Sequence, residues 1–217
     1  MTKGTLTKII ESYNYPEDVP RDYIGASSIG SDCLRQIWYE YTGAPSTCVP
    51  NKIRRTWAIG KELEGLVLDW LENCGIELAR VWYDLIDSEL LYFQGHIDAM
   101  WENHPSNLYA IIEVKTAKDA SFKVFVKDGA RKWNPRYYAQ VQAYMGMSGI
   151  MSAYILVLNK DNSELMDELI TFDPDFYAQL KDKARLIHDA KTPPPRIHGS
   201  PLWYACKLCK FNKVCHE

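Results

Sequence analysis

Glu113 and Lys115 stand two apart in the run LYAIIEVKT. In an extended chain that spacing puts a carboxylate and an ammonium on one face, with Val114 on the other. Apolar Ala110, Ile111 and Ile112 lead straight into them, so the pair sits at the end of a buried strand, where charges need partners. Asp98, in GHIDAMWE, is the candidate partner. If the intervening HPSN turns a hairpin centred between Pro105 and Ser106, Asp98 faces Glu113. Directly opposed side chains have Cβ atoms about 5 Å apart, and two carboxylates that close repel unless a cation or proton lies between them. Oxygen donors of this kind suit magnesium or manganese. The competing reading of the same spacing is a surface Asp98 beside a plain Glu113–Lys115 ion pair.

Two helical patterns add to this set. In IRRTWAIGKELEGLVLDWLEN, Trp57, Gly60, Val67, Leu68 and Leu71 recur at helical spacing, and Glu64 falls inside that stripe. A carboxylate on a buried face is a third candidate metal ligand; the alternative is an edge position paired with Lys61. Gln140 and Tyr144, four apart, share one face of a helix that opens at Pro135. They present an amide and a phenol to a phosphate or an attacking water, or they belong to an ordinary amphipathic helix. From Lys115 to Arg136 there are seven basic residues against Asp119 and Asp128. Within that stretch RKWNPRYY offers Arg131, Lys132 and Arg136 to phosphates, with Trp133, Tyr137 or Tyr138 to stack on bases, unless the aromatics are core and only the charges are exposed.

The tail WYACKLCKFNKVCHE packs Cys206, Cys209 and Cys215 into ten residues, one thiolate short of a tetrahedral site. Of the six cysteines the others are Cys33, Cys48 and Cys74. A zinc site using the trio with Cys33 or His216 is one reading.

The elements that must position these groups are legible in outline. The 217 residues fit a single domain with a substantial core, and a net charge of −3 argues against indiscriminate coating of nucleic acid. No apolar run approaches the length of a membrane helix and the first residues lack a signal core, which points to the cytoplasm, where clustered cysteines favour metals over disulfides. Helices are expected over CLRQIWYEY, capped by Ser31 or Asp32, over IRRTWAIGKELEGLVLDWLEN, over RYYAQVQAYMGMS, and after Asp173-Pro174. Strands are expected over LARVWYDLI, LLYFQGHIDAMWE, LYAIIEVKT, SAYILVLNK and ELIT. Helices precede, interrupt and follow the strands, so the class is α/β with one central sheet. The proline-rich KTPPPRIHGSP leads to the cysteine tail.

The order of these motifs resembles the RecB-like branch of the PD-(D/E)XK nucleases: Gly60-x-x-x-Glu64, GHID ending at Asp98, EVK, then Gln140-x-x-x-Tyr144. With Cys33 upstream and Cys206, Cys209 and Cys215 at the end, the chain from about residue 25 to 217 is similar to the iron-sulfur exonucleases of the CRISPR-associated Cas-four family and their phage relatives. That resemblance implies a restriction-endonuclease-like core, a mixed sheet flanked by helices, spanning 1–217 as one nuclease domain. It implies a [4Fe-4S] cluster on Cys33, Cys206, Cys209 and Cys215, formed by about 25–45 and 200–217, leaving Cys48 and Cys74 as ordinary thiols. It implies Mg2+ or Mn2+ held by Asp98, Glu113, the Val114 carbonyl and Glu64, which stands where many relatives carry His. The expected activity is exonucleolytic hydrolysis of DNA, at single-stranded ends, in recombination, repair or CRISPR adaptation, with proteins of those processes as partners. The competing functions are a DNA-binding or assembly module that keeps the cluster without catalysis, and a sequence-specific endonuclease.

Overall fold

The computed structural model describes residues 4–13, 19, 21–47, 49–80, 84–106 and 109–217; Cys48 lies outside them. In chain order the elements are α1 (Thr5–Glu11), β1 (Ile24–Gly25), α2 (Ala26–Ile29), α3 (Leu34–Tyr41), α4 (Asn51–Asn73), β2 (Leu78–Ala79), β3 (Asp84–Ile86), β4 (Phe93–His96), β5 (Ala99–Trp101) and β6 (Ala110–Ala117). There follow α5 (Asp119–Trp133), α6 (Pro135–Ser148), β7 (Ser152–Asn159), β8 (Leu165–Thr171), α7 (Pro174–Asp189), α8 (Tyr204–Lys207) and α9 (Asn212–His216).

β6 and β7 pair in parallel through seven residue positions, Ile111 against Ala153 to Ala117 against Asn159, and form the middle of a mixed five-stranded sheet ordered β2-β5-β6-β7-β8. Both strands read as near-continuous apolar runs because both faces are covered. On one face Ile111, Ile155 and Val157 pack with Val141 and Met145 of α6 and Leu180 of α7. On the other, Ile112, Val114 and Leu158 pack with Val67 and Leu68 of α4.

Two local signals act as their chemistry predicts. Asn134 accepts a hydrogen bond from the Arg136 N–H ahead of Pro135, and Asp173 accepts one from the Phe176 N–H ahead of α7. Fully buried Gln142 ties these helices together, donating to the Thr171 carbonyl and accepting from the Asp173 N–H, both at 2.9 Å.

Three expectations need correction. The strands form two sheets rather than one: LLYFQGHIDAMWE breaks at Ile97-Asp98, so β4 joins β1 and β3 while β5 joins the larger sheet. Cys33 itself takes the N-cap position of α3, and the Ser31 hydroxyl accepts instead from the Cys33 N–H at 3.3 Å. The buried stripe of α4 is shorter than its periodicity suggests. Val67 and Leu68 are buried with Leu63 and Leu71 packed beside them, whereas Trp57 is 55% exposed, because the first turns of this 23-residue helix run past the sheet.

Ile155, fully buried at the centre of β7, anchors the α6 face of the sheet. Ile155→Ala is expected to lower unfolding free energy by about 2–5 kcal/mol, read as a shift in denaturant midpoint with an unchanged slope.

Candidate active site

The hairpin register places Asp98 where the sequence puts it. β5 pairs antiparallel with β6, Ala99 opposite Ile112, and one step further along the same register Asp98 stands across from Glu113. Asp98 ends the break between β4 and β5, and its Oδ2 accepts a hydrogen bond from the Val114 N–H at 2.9 Å. That contact holds the carboxylate against the strand that carries Glu113.

Glu113 is 1% exposed, and its two oxygens have different surroundings. Oε1 accepts from the Lys115 ammonium and, at 2.8 Å, from Gln140 Nε2. Oε2 is buried with no hydrogen-bond partner. Such an atom costs free energy unless something cationic or protic meets it. Gln140 Nε2 also lies 2.6 Å from the Tyr144 hydroxyl, so the pair expected to share a helix face does so, and that face points at Glu113. Lys115 Nζ sits 4.7 Å from the centre of the Tyr137 ring, whose face adds a cation–π contact.

The electrostatics follow from this crowding. Burial, then the neighbouring Glu113 charge, push the Asp98 carboxyl well above its usual range, against the pull of Lys115 and the Val114 N–H. Burial also raises Glu113, against the pull of Lys115. Burial alone would lower Lys115, but the charges of Glu113 and Asp98 outweigh it and hold the ammonium above its ordinary value. Tyr144 is held up well above its usual value by burial and by the Glu113 charge, so it stays a neutral phenol. Two acids that resist ionisation beside a firmly charged amine, with one carboxylate oxygen unmet, form a donor set short of positive charge. A divalent cation fits that deficit.

Glu64 stands at the rim. Its carboxylate meets Lys61 at 2.5 Å, one turn back on α4, which is the alternative its position allowed. It still borders, with Lys61, Arg80, His96 and Asp98, a cavity of about 220 Å³. Its charge raises both Asp98 and Glu113. Among the described residues no group of three or more His, Cys, Asp or Glu side chains is set closely enough to hold a metal ion as it stands. Arg80 and His96 are additions that spacing did not single out, although His96 lies inside the GHID motif; its ring sits between Asp84 at 2.8 Å and the Tyr23 hydroxyl at 3.1 Å.

Gly95, the first residue of that motif, is explained by contact. A Cβ there would stand 2.5 Å from Tyr144 Cε1 and 2.8 Å from the Ala26 Cβ. Only a bare backbone lets the Tyr144 ring lie against β4 and reach Gln140.

The basic segment divides. Arg131, Lys132 and Arg136 are exposed, and Trp133 and Tyr137 are half-buried, with Trp133 donating to the Ser121 hydroxyl at 2.8 Å. Tyr138 is buried among core residues, with Arg131 packed over its ring at 5.1 Å, and so is not free to stack on a base.

Cys33, Cys206, Cys209 and Cys215 all line one cavity of about 410 Å³, together with His216. Burial raises the Cys206 and Cys209 thiols, and Cys33 and Cys215 add to both shifts. Arg35, on the first turn of α3, spans the gap between distant segments: it donates to the Pro194 carbonyl at 2.5 Å and stands 3.9 Å from Cys215 Sγ. Cys74, at the far end of α4, is exposed and apart from this group.

Two outcomes follow. Because the folded-state pKa of both acids is raised, their contribution to stability is present below the unfolded carboxylate pKa and is lost as pH rises through the folded values. The metal-free protein should therefore melt at lower temperature as pH climbs from the ordinary carboxylate range toward neutrality, and Asp98→Asn should flatten that slope. Gly95→Ala should cost about 1–3 kcal/mol through displacement of the Tyr144 ring, measured by thermal unfolding.

A scan against models of known protein families finds no match, and neither does a search of curated proteins. Among solved structures the fold is similar to that of an alkaline exonuclease, LHK-Exo, from Laribacter hongkongensis, at 15% identity and a TM-score of 0.59, covering 78% of this chain and 87% of that one. It is similar to a phage related exonuclease from Haemophilus somnus 129PT, at 16% identity and a TM-score of 0.57, covering 76% and 91%. It is similar also to SSO0001, at 16% identity and a TM-score of 0.54, covering 98% and 96%. These likenesses are of fold: a mixed α/β architecture with central sheets flanked by helices, shared with exonucleases.

Proposed function

We propose that this chain is a divalent-metal-dependent deoxyribonuclease that removes nucleotides from DNA ends, with single strands as substrate. The observation that carries the reading is half-buried Asp98 set against buried Glu113 beside Lys115, with Glu113 Oε2 unmet. Likeness in fold to exonucleases, one of them in complex with dAMP, favours this over a binding module. A binding module would have no use for two carboxylates pressed together beside a charged amine, and the exonuclease neighbours weigh against a sequence-specific endonuclease. Following the resemblance in motif order, we assign the activity to recombination, repair or CRISPR adaptation as part of the same proposal.

Asp98, Glu113 and the Val114 carbonyl would hold Mg2+ or Mn2+, with Glu64 joining after release from Lys61. When bound, the ion supplies charge stabilisation at the scissile phosphate and makes water a stronger nucleophile at neutral pH. The side chains do the rest. Gln140 fixes Glu113 by donating to Oε1, which leaves Oε2 for a ligand. Lys115, kept charged by the acids and seated on Tyr137, orients the nucleophile or meets the developing oxyanion. Tyr144 keeps Gln140 in its place. Arg131, Lys132 and Arg136 neutralise strand phosphates, and Trp133 and Tyr137 offer edges or faces to bases.

The same proposal gives a [4Fe-4S] cluster to Cys33, Cys206, Cys209 and Cys215, which line one cavity and are the thiolate ligands such a cluster would take. A zinc site is the second reading, favoured by His216 Nε2, which is buried without a partner and borders the same space.

With end-labelled oligonucleotides, Asp98→Ala and Lys115→Ala should each reduce magnesium-dependent degradation by about a hundredfold or more. Undiminished degradation in both would transfer the chain to the binding-module class. Protein purified without oxygen should be brown and carry iron, and Cys209→Ser should lose the colour; a colourless wild type with zinc bound would select the second reading.

A further inference from the structure

A cavity of about 560 Å³ lies behind the cysteine cavity, and Tyr39, Arg136 and Phe211 form the wall between them. Its cations come from three distant stretches: Arg21 ahead of β1, Arg136 in the first turn of α6, and Lys210, next to Cys209 in the tail. Arg21 and Lys210 are held in place. A Cβ on Gly25 would stand 2.9 Å from Arg21 Nη1, so the guanidinium lies against bare backbone where β1 meets α2. Thr47 grips Lys210 through its carbonyl, donating from N–H and hydroxyl at 2.7 and 2.9 Å. The Lys210 ammonium is 3.6 Å from Glu40, the acid among the lining residues. Among the described residues, neither Arg21 nor Arg136 has a carboxylate partner. The hydroxyl-bearing Ser27 and Ser28 and the exposed indole of Trp57 complete the lining.

We propose that this cavity is a phosphate subsite for the nucleic-acid strand and that the cysteine tail delivers one of its three cations. Among the described lining residues, three cations against one acid, with hydroxyl donors and an aromatic face, is the chemistry that grips a phosphate and its attached base. Trp57 stands two helical turns before Glu64 on α4, about 10 Å along the axis, so a strand seated here runs along α4 toward the carboxylates. The inference rests on the nuclease reading for the identity of the ligand. It adds a specific reason for the tail to be tied to the body: Lys210 reaches the cavity only while the segment holding Cys206, Cys209 and Cys215 is docked.

Fluorescence-anisotropy titration of single-stranded oligonucleotides against the full chain, in magnesium-free buffer, tests it without cleavage. Arg21→Gln, Arg136→Gln and Lys210→Gln should each weaken binding about tenfold and lower the slope of log affinity against log salt by about one, while Lys123→Gln on the outside of α5 changes neither. Oligonucleotides with a 5′-phosphate, a 3′-phosphate or neither separate the sources. An end preference lost in Arg21→Gln assigns a terminal phosphate, and equal losses assign an internal one. Lys210→Gln should have no further effect in a Cys209→Ser background, whereas Arg21→Gln should still weaken binding there. Unchanged affinity and slope in all three single variants would overturn the subsite. An undiminished Lys210→Gln effect in the Cys209→Ser protein would overturn the role of the tail. A chain that binds in this way yet fails to degrade DNA with magnesium would sink the nuclease reading and leave the subsite standing.

Discussion

Everything in the site follows from two carboxylates that strand pairing forces side by side, Glu113 buried and Asp98 half-buried at the border of a cavity. Asp98 and Glu113 are not neighbours by accident of rotamer: the β5–β6 register sets them opposite, and the Val114 N–H holds Asp98 there. Leaving both ionised is costly, and Lys115 answers only one oxygen of Glu113. The fold tolerates this deficit because the surrounding sheet is well buried on both faces. A protein keeps such strain where it is used.

The scaffold around that pair is arranged to keep it rigid. α6 supplies Gln140 and Tyr144 from one face and uses another to pack on β7 and α7, so the groups that orient Glu113 belong to a helix buried through most of its middle and last turns. Gly95 on β4 makes room for the Tyr144 ring, which links the small sheet to the site although no strand of that sheet contributes a carboxylate. At the other end, α3, the proline connector and the tail converge on the cysteines through Arg35, and the same tail closes a basic cavity with Arg21 and Arg136. The two halves of the molecule, one built around carboxylates and one around thiols, meet at α6, whose first turn carries Arg136.

Sequence reasoning reached the carboxylates, the hairpin register and the Gln140–Tyr144 pair because each depends on a short-range period: two along a strand, four along a helix, a constant offset across a turn. It also grouped the cysteines. It missed the split of the sheet, since apolar alternation runs through Ile97 without revealing that the chain leaves one sheet for another there. It put Trp57 in the core because periodicity says which face a residue is on, not whether anything covers that face. It offered Tyr138 to bases when packing had claimed it. Arg21 and Lys210 gave no local signal at all; only the fold brings residues that far apart in sequence to one cavity.

The central claim is that the Asp98–Glu113 pair takes a divalent cation. Titration of the metal-free protein with manganese, followed by electron paramagnetic resonance of the free ion and by proton release into weak buffer, is the direct measurement. The account predicts that the wild type binds manganese with release of protons, because burial raises both acids and a bound cation opposes that shift, and that Asp98→Asn and Glu113→Gln each abolish both signals. A wild-type protein that leaves manganese free, or a variant that binds it as the wild type does, would contradict the account.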